Sequence, residues 1–263
     1  VGRVILSILL FVPFLTAGAL AAGDDIERIK SYVHSSSDEA EKEAEVRQLL
    51  EGNPALANAR DDDGSILQWA LGSAGTDGDL GKKSQKLAEL LIAKGADVNA
   101  LDSDGVPLLI RFAVFAQTVP MEILLKGKAG VNAKEEETGR TALHHVALLV
   151  ENPVDARPDP ERLERTLHAA RALVKAGAGV NTKDASGVTP LMATAFLGNL
   201  KMTELLIASG ADVNTKDNEG YSVLGIVLAR LEEDWASKDE KSYLPPVIAA
   251  LKAKGARDER PAK

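Results

Sequence analysis

The chain has 263 residues, 45% of them hydrophobic and 27% charged, which excludes a disordered chain and allows a sizeable core. Thirty-one Lys and Arg against 39 Asp and Glu leave a net charge of −8, which argues against capture of nucleic acid or anionic lipid by charge alone. With no cysteine, a disulfide framework, a thiolate zinc site, a cysteine nucleophile and lipoprotein acylation are all excluded.

In chain order, the first segment reads as an address. Arg3 precedes an apolar run from Val4 to Leu15, small residues follow, and Ala19-Leu20-Ala21 fits the A-x-A pattern of signal peptidase. Cleavage is expected after Ala21, with Ala19 as the alternative, so that residues 1–21 are a signal peptide. An uncleaved anchor facing the periplasm is the competing expectation, because Val4 to Ala22 approaches the roughly 20 apolar residues a span needs. Pro13, Ser7 and the Ala/Gly-rich end weigh against it. Val1 reads as a literally translated GTG start codon, and the mature protein is expected in a bacterial periplasm.

A repeat organises the remainder. Gly95-Ala96-Asp97-Val98-Asn99-Ala100 returns as Gly210-Ala211-Asp212-Val213-Asn214-Thr215. Altered copies are Gly177-Ala178-Gly179-Val180-Asn181 and Lys128-Ala129-Gly130-Val131-Asn132, and a fainter one ends at Asn58. The asparagines are spaced by 41, 33, 49 and 33 residues. Nine to eleven residues after each comes the Leu of a second signature, clearest as Thr189-Pro190-Leu191-Met192-Ala193 and Thr141-Ala142-Leu143-His144-His145. Val106-Pro107-Leu108, Ser65-Ile66-Leu67 and Ser222-Val223-Leu224 are relatives.

These strings resemble the ankyrin-repeat family, in its secreted bacterial form, over nearly all of residues 22–257. The chemistry of the residues agrees. Thr or Ser caps a short first helix, Pro is tolerated in its opening turn, and a second helix carries paired leucines such as Leu90-Leu91 and Leu205-Leu206. Gly95, Gly177 and Gly210 stand where a left-handed residue ends that helix. Helix pairs this small must stack to bury both faces. The expected fold is therefore all-α: an ankyrin-repeat solenoid of helix-turn-helix units with β-hairpin tips, about six repeats, followed by a polar tail, 258–263, that should fray.

The first unit is a degenerate cap, with helices near Asp25–His34 and Asp38–Glu51. The next four begin near Ser65, Val106, Thr141 and Thr189, and the last runs from Tyr221 to Asp258. Extra residues fall between the helices of units two, four and six: Gly72–Lys83, Asn152–Pro160 and about Glu232–Lys241. The first two should be loops, because Gly, Pro and Asp dominate them. Insertions at one turn of the repeat either mark a binding face or record drift at a tolerant loop.

No pattern carries catalysis. His144 occupies the His of the family's Thr-Pro-Leu-His signature, where such a residue ties neighbouring turns by hydrogen bonds. Residues 75–84 lack the first Gly and the Ser/Thr of a phosphate loop, and Asp61–Gly64 and Asp102–Gly105 lack the closing Glu of a calcium loop. No cofactor is implied.

Binding in this architecture uses the hairpin tips and the first helices. One Asp per tip braces the turn, and the surplus acids are Asp62 or Asp63, Asp104, the glutamate run Glu135-Glu136-Glu137 and Glu219. Trp69, Phe115, Phe196 and Tyr221 fall in or beside first helices, and Phe196, Leu197, Phe115 and Leu149 take positions that are normally polar. The expected surface is an apolar patch rimmed by acid, facing a basic protein. The resemblance then implies a non-catalytic, monomeric binding module. It suits an immunity protein that neutralises a secreted antibacterial toxin, or a protein supporting periplasmic catalase and peroxide resistance. Metal binding by His144 and His145 and a host-directed adapter are further alternatives.

Overall fold

The computed structural model describes residues 14–34, 39–62, 64–75, 78–149, 160–232 and 242–261. The Asn152–Pro160 insertion up to residue 159, the third insertion beyond Glu232, and Asp63 lie outside these residues. Helices account for most of the described chain, and the fold is an all-α ankyrin solenoid. It divides into two compact units, Val1–Asp97 and Val98–Lys263.

In the first unit, α1 (Phe14–His34) and α2 (Glu39–Gly52) precede a short 3-10 turn, Pro54–Asn58, and a two-residue hairpin, β1 (Arg60–Asp61) with β2 (Gly64–Ser65). Then come α3 (Ile66–Ala74) and α4 (Gly78–Ala93). No described helix is long and apolar enough to cross a membrane. Ile29, Tyr32, Leu50, Ile66, Leu71, Leu87 and Leu91 form the buried core where α1 lies on α2, α3 and α4. The first insertion is not the expected loop. Gly72–Ala74 completes α3, and α4 already starts at Gly78, giving 16 residues where a comparable second helix has nine. The added turn is helical because Lys83 and Ser84 are buried on the side that packs, and α4 finds a partner in α1.

The second unit is two layers of helices. First helices α5 (Leu108–Ala113), α7 (Ala142–Leu148), α9 (Pro190–Leu197) and α11 (Val223–Glu232) pack side by side. Second helices α6 (Thr118–Lys126), α8 (Pro160–Lys175), α10 (Leu200–Ala208) and α12 (Leu244–Ala253) lie beneath them. Leu108, Leu124, Leu143, Leu173, Leu191, Leu206, Leu224 and Leu251 are fully or almost fully buried between the layers.

The repeated asparagines are the staples of this stack. Asn181 donates from Nδ2 to the Gly210 carbonyl and accepts the Asp212 N–H at Oδ1. Asn132 does the same for Gly177 and Gly179, Asn214 for Gly255 and Arg257, and in the first unit Asn58 for Gly95 and Asp97. Two backbone groups per junction are thereby satisfied where the chain leaves a second helix.

The polar tail is bound rather than frayed as far as Arg260. Asn214 clamps Arg257, Ser222 donates its N–H to the Glu259 carbonyl and accepts the Glu259 N–H, and Arg260 pairs with Glu232 at 2.8 Å. Gly225 makes this approach close: a Cβ there would stand 2.5 Å from the Glu259 carbonyl oxygen.

Candidate protein-binding surface

Each hairpin in the second unit is built around one acid. Asp102 Oδ1 accepts the N–H groups of Asp104 and Val106, Asp184 those of Ser186 and Val188, and Asp217 those of Glu219 and Tyr221. The hairpin at 134–141 holds one residue more, closing with Glu135 N–H to the Arg140 carbonyl. A glutamate takes the brace position there, and its longer side chain reaches the Thr138 hydroxyl. The brace acids also draw cations, with Arg111 Nε 3.4 Å from Asp102 and Arg140 Nε 3.4 Å from Asp184.

Of the surplus acids, Asp104 is not free, since Arg111 Nη1 stands 3.5 Å from it. Glu136, Glu137 and Glu219 are exposed, and their carboxylates have no partner among the described residues. Tyr221 is half-buried and gives its N–H to Asp217. A lysine row runs beside the acids: Lys134 donates to the Lys183 carbonyl, Lys183 to the Lys216 carbonyl, and Lys216 pairs with Glu259. That row was missed in the sequence. Its signal was there, a Lys directly before the brace acid in three hairpins.

The apolar candidates sit elsewhere. Leu197 precedes Gly198 at the C-terminal end of α9, and Phe196 precedes it by one more. An eight-residue helix at about 1.5 Å per residue puts them roughly 12 Å from the tip at the other end. Acid and apolar groups therefore form two zones at opposite ends of the first helices, not one patch with a rim. Bridges Leu101 to Pro107, Lys134 to Thr141 and Lys216 to Ser222 also correct the alignment. Pro107, not Val106, stands in the Thr position, so Phe115 joins Leu149 in matching Leu197. Phe115 is 68% exposed, Phe196 38%, and Leu149 and Leu197 are half-buried. Trp69, in the first unit, is already engaged: Lys30 Nζ lies 5.5 Å above its ring and His34 meets it edge-on at 6.0 Å.

Both His144 ring nitrogens are occupied, Nδ1 by Thr141 and Nε2 by the Val188 carbonyl at 3.1 Å. Burial pushes the His144 imidazole below its ordinary pKa, against the opposing pull of the Val188 carbonyl and Asp184. His145 is lowered by burial too, with Glu135, 3.5 Å away, opposing. Among the described residues no three His, Asp or Glu side chains are grouped to hold a metal ion.

A family model for ankyrin repeats in three copies matches residues 163–233, the stretch from α8 to α11. The chain is built of ankyrin repeats. Human Rabankyrin-5 is 30% identical over 141 residues, covering 51% of this chain and 12% of the relative. Mouse Rabankyrin-5 is 31% identical over 112 residues, 43% of this chain and 9% of the relative. The chain thus spans about a tenth of the length of these curated ankyrin relatives. Ankyrin repeats make it a protein–protein interaction module, of a family that is typically non-catalytic.

Proposed function

We propose that the protein is an exported, non-catalytic binder of one dedicated basic protein, and that this partner is a secreted antibacterial toxin which it neutralises. The observation that carries the reading is the set of exposed carboxylates on two of the hairpin tips, Glu136 and Glu137 on one and Glu219 on the other, which have no partner among the described residues. Acids that brace no turn and pair with no neighbour are available to steer and register a cationic partner. The export signal read at residues 1–21 supports a periplasmic meeting place, and the net charge of −8 favours encounter with a basic protein.

The test is a growth competition. A producer strain deleted for this gene should be killed by contact with its unmodified siblings. The wild-type gene should restore it, and Glu136→Lys with Glu137→Lys should not, although the double variant melts like the parent. A deletion strain that survives as well as its parent would overturn the reading. Addition of salt should weaken the purified complex, since exposed pairs are screened beyond about 8 Å at physiological ionic strength.

A further inference from the structure

Phe196 does not stand alone. The Arg230 guanidinium, on the next first helix, lies 4.6 Å from the Phe196 ring centroid and 5.9 Å from that of Tyr243. Its Nη1 donates to the Phe196 carbonyl and its Nη2 to the Tyr243 hydroxyl at 3.3 Å, while Nε has no partner among the described residues. Arg230 is 92% buried and its guanidinium stands against two aromatic faces. Gly198 completes the arrangement: it is left-handed at φ +79°, and the Tyr243 ring fills the space of a Cβ.

We propose that Arg230 is the positioning residue for Phe196, holding its ring as a preformed anchor whose outer face selects an apolar group of the partner and disfavours a cation. This rests on the reading above that the protein binds another protein, and it gives the apolar zone a chemistry opposite to that of the hairpin tips. The cation on the inner face occupies the attraction of the ring quadrupole, and its charge repels a second cation from outside. The ring, stacked through its inner face on the held guanidinium, enters a complex with less torsional freedom left to lose.

The test needs no protein partner. In the full chain, para-fluorophenylalanine replaces Phe196 and fluorine NMR follows the ring during titration with cyclohexanol or with cyclohexylammonium. Cyclohexanol should move the resonance several-fold more than the cation does. In Arg230→Met the resonance should shift towards that of a solvent-exposed ring and the preference between the probes should vanish. Equal responses in the wild type, or an unmoved resonance in Arg230→Met, would overturn the proposal. Should that variant not fold, Arg230→Lys serves: it keeps the charge but loses the fork, so the preference should persist with a broader line, and an unchanged line would count against pinning. Failure of the growth competition leaves these spectra untouched, so the two readings fall separately.

Discussion

Two neighbouring repeats, one opening at Thr141 and the other at Thr189, solve the same structural problems with different chemistry. In the first, His144 closes the cap, bonding Thr141 on one side and the Val188 carbonyl of the following repeat on the other. In the second, Met192 holds the same position and its sulfur accepts the Thr189 N–H, with no reach to the next repeat. The first has a long hairpin braced by Glu135, the second a short one braced by Asp184. The first helix ends at Leu149, the second at the left-handed Gly198. A repeat position therefore fixes a geometric need rather than a residue, and whichever side chain meets it sets how that repeat responds to mutation and pH.

The largest effect is expected at Gly198. Alanine there meets both an unfavourable φ of +79° and a Tyr243 ring already inside the space for a Cβ. Left-handed strain and overpacking each cost about 1–3 kcal/mol, so Gly198→Ala should lose roughly 2–4 kcal/mol in urea melts. A loss under about 1 kcal/mol would mean that Tyr243 moves aside freely, and the contrast between the two helix ends would vanish.

His144→Met tests the other side by giving the first repeat the cap of the second. It forfeits the bond to Val188, and about 1 kcal/mol of stability should go with it. It should also change the pH response. A His whose folded pKa is depressed binds fewer protons folded than unfolded, so its contribution is complete above the unfolded value near 6.5 and falls as pH drops through it. The wild-type Tm should therefore fall between pH 7.5 and pH 5.5, and His144→Met should fall less. The remainder includes His145, which burial depresses in the same direction. Equal falls in both proteins would show that His144 does not titrate in that window.

The sequence was most readable where the same residue recurs for the same reason. The asparagine spacing exposed the repeat because only an amide can donate to one backbone group and accept from another two residues away, as Asn132, Asn181 and Asn214 do. It was least readable where a need is met by an unexpected residue. Lys128 at φ +66° and Ala116 at φ +48° take left-handed positions that Gly177 and Gly198 fill elsewhere, and nothing in Lys or Ala advertises that conformation. Pro107 hid its alignment because Pro is also at home one position later, at the start of the helix. The partition of acid from apolar groups escaped notice because residues close in sequence lie at the two ends of one helix. Arg230 under Phe196 bridges 34 positions, beyond any local pattern.

The smallest effect expected is also the most specific to the comparison. If the long hairpin needs Glu135 only for its reach, Glu135→Asp shortens the side chain by one methylene and withdraws its carboxylate from the Thr138 hydroxyl and from His145. The Glu135 side chain itself stays 23% exposed, so the loss should stay near 0.5 kcal/mol. Asp184→Glu should cost more, because Asp184 is 9% exposed and bonds two N–H groups in a turn closed one residue earlier. Urea melts of the two variants side by side would decide between fit and mere charge. Equal losses would mean that a carboxylate at the tip suffices, whereas the ordering expected here would make turn length the property that selects Asp or Glu.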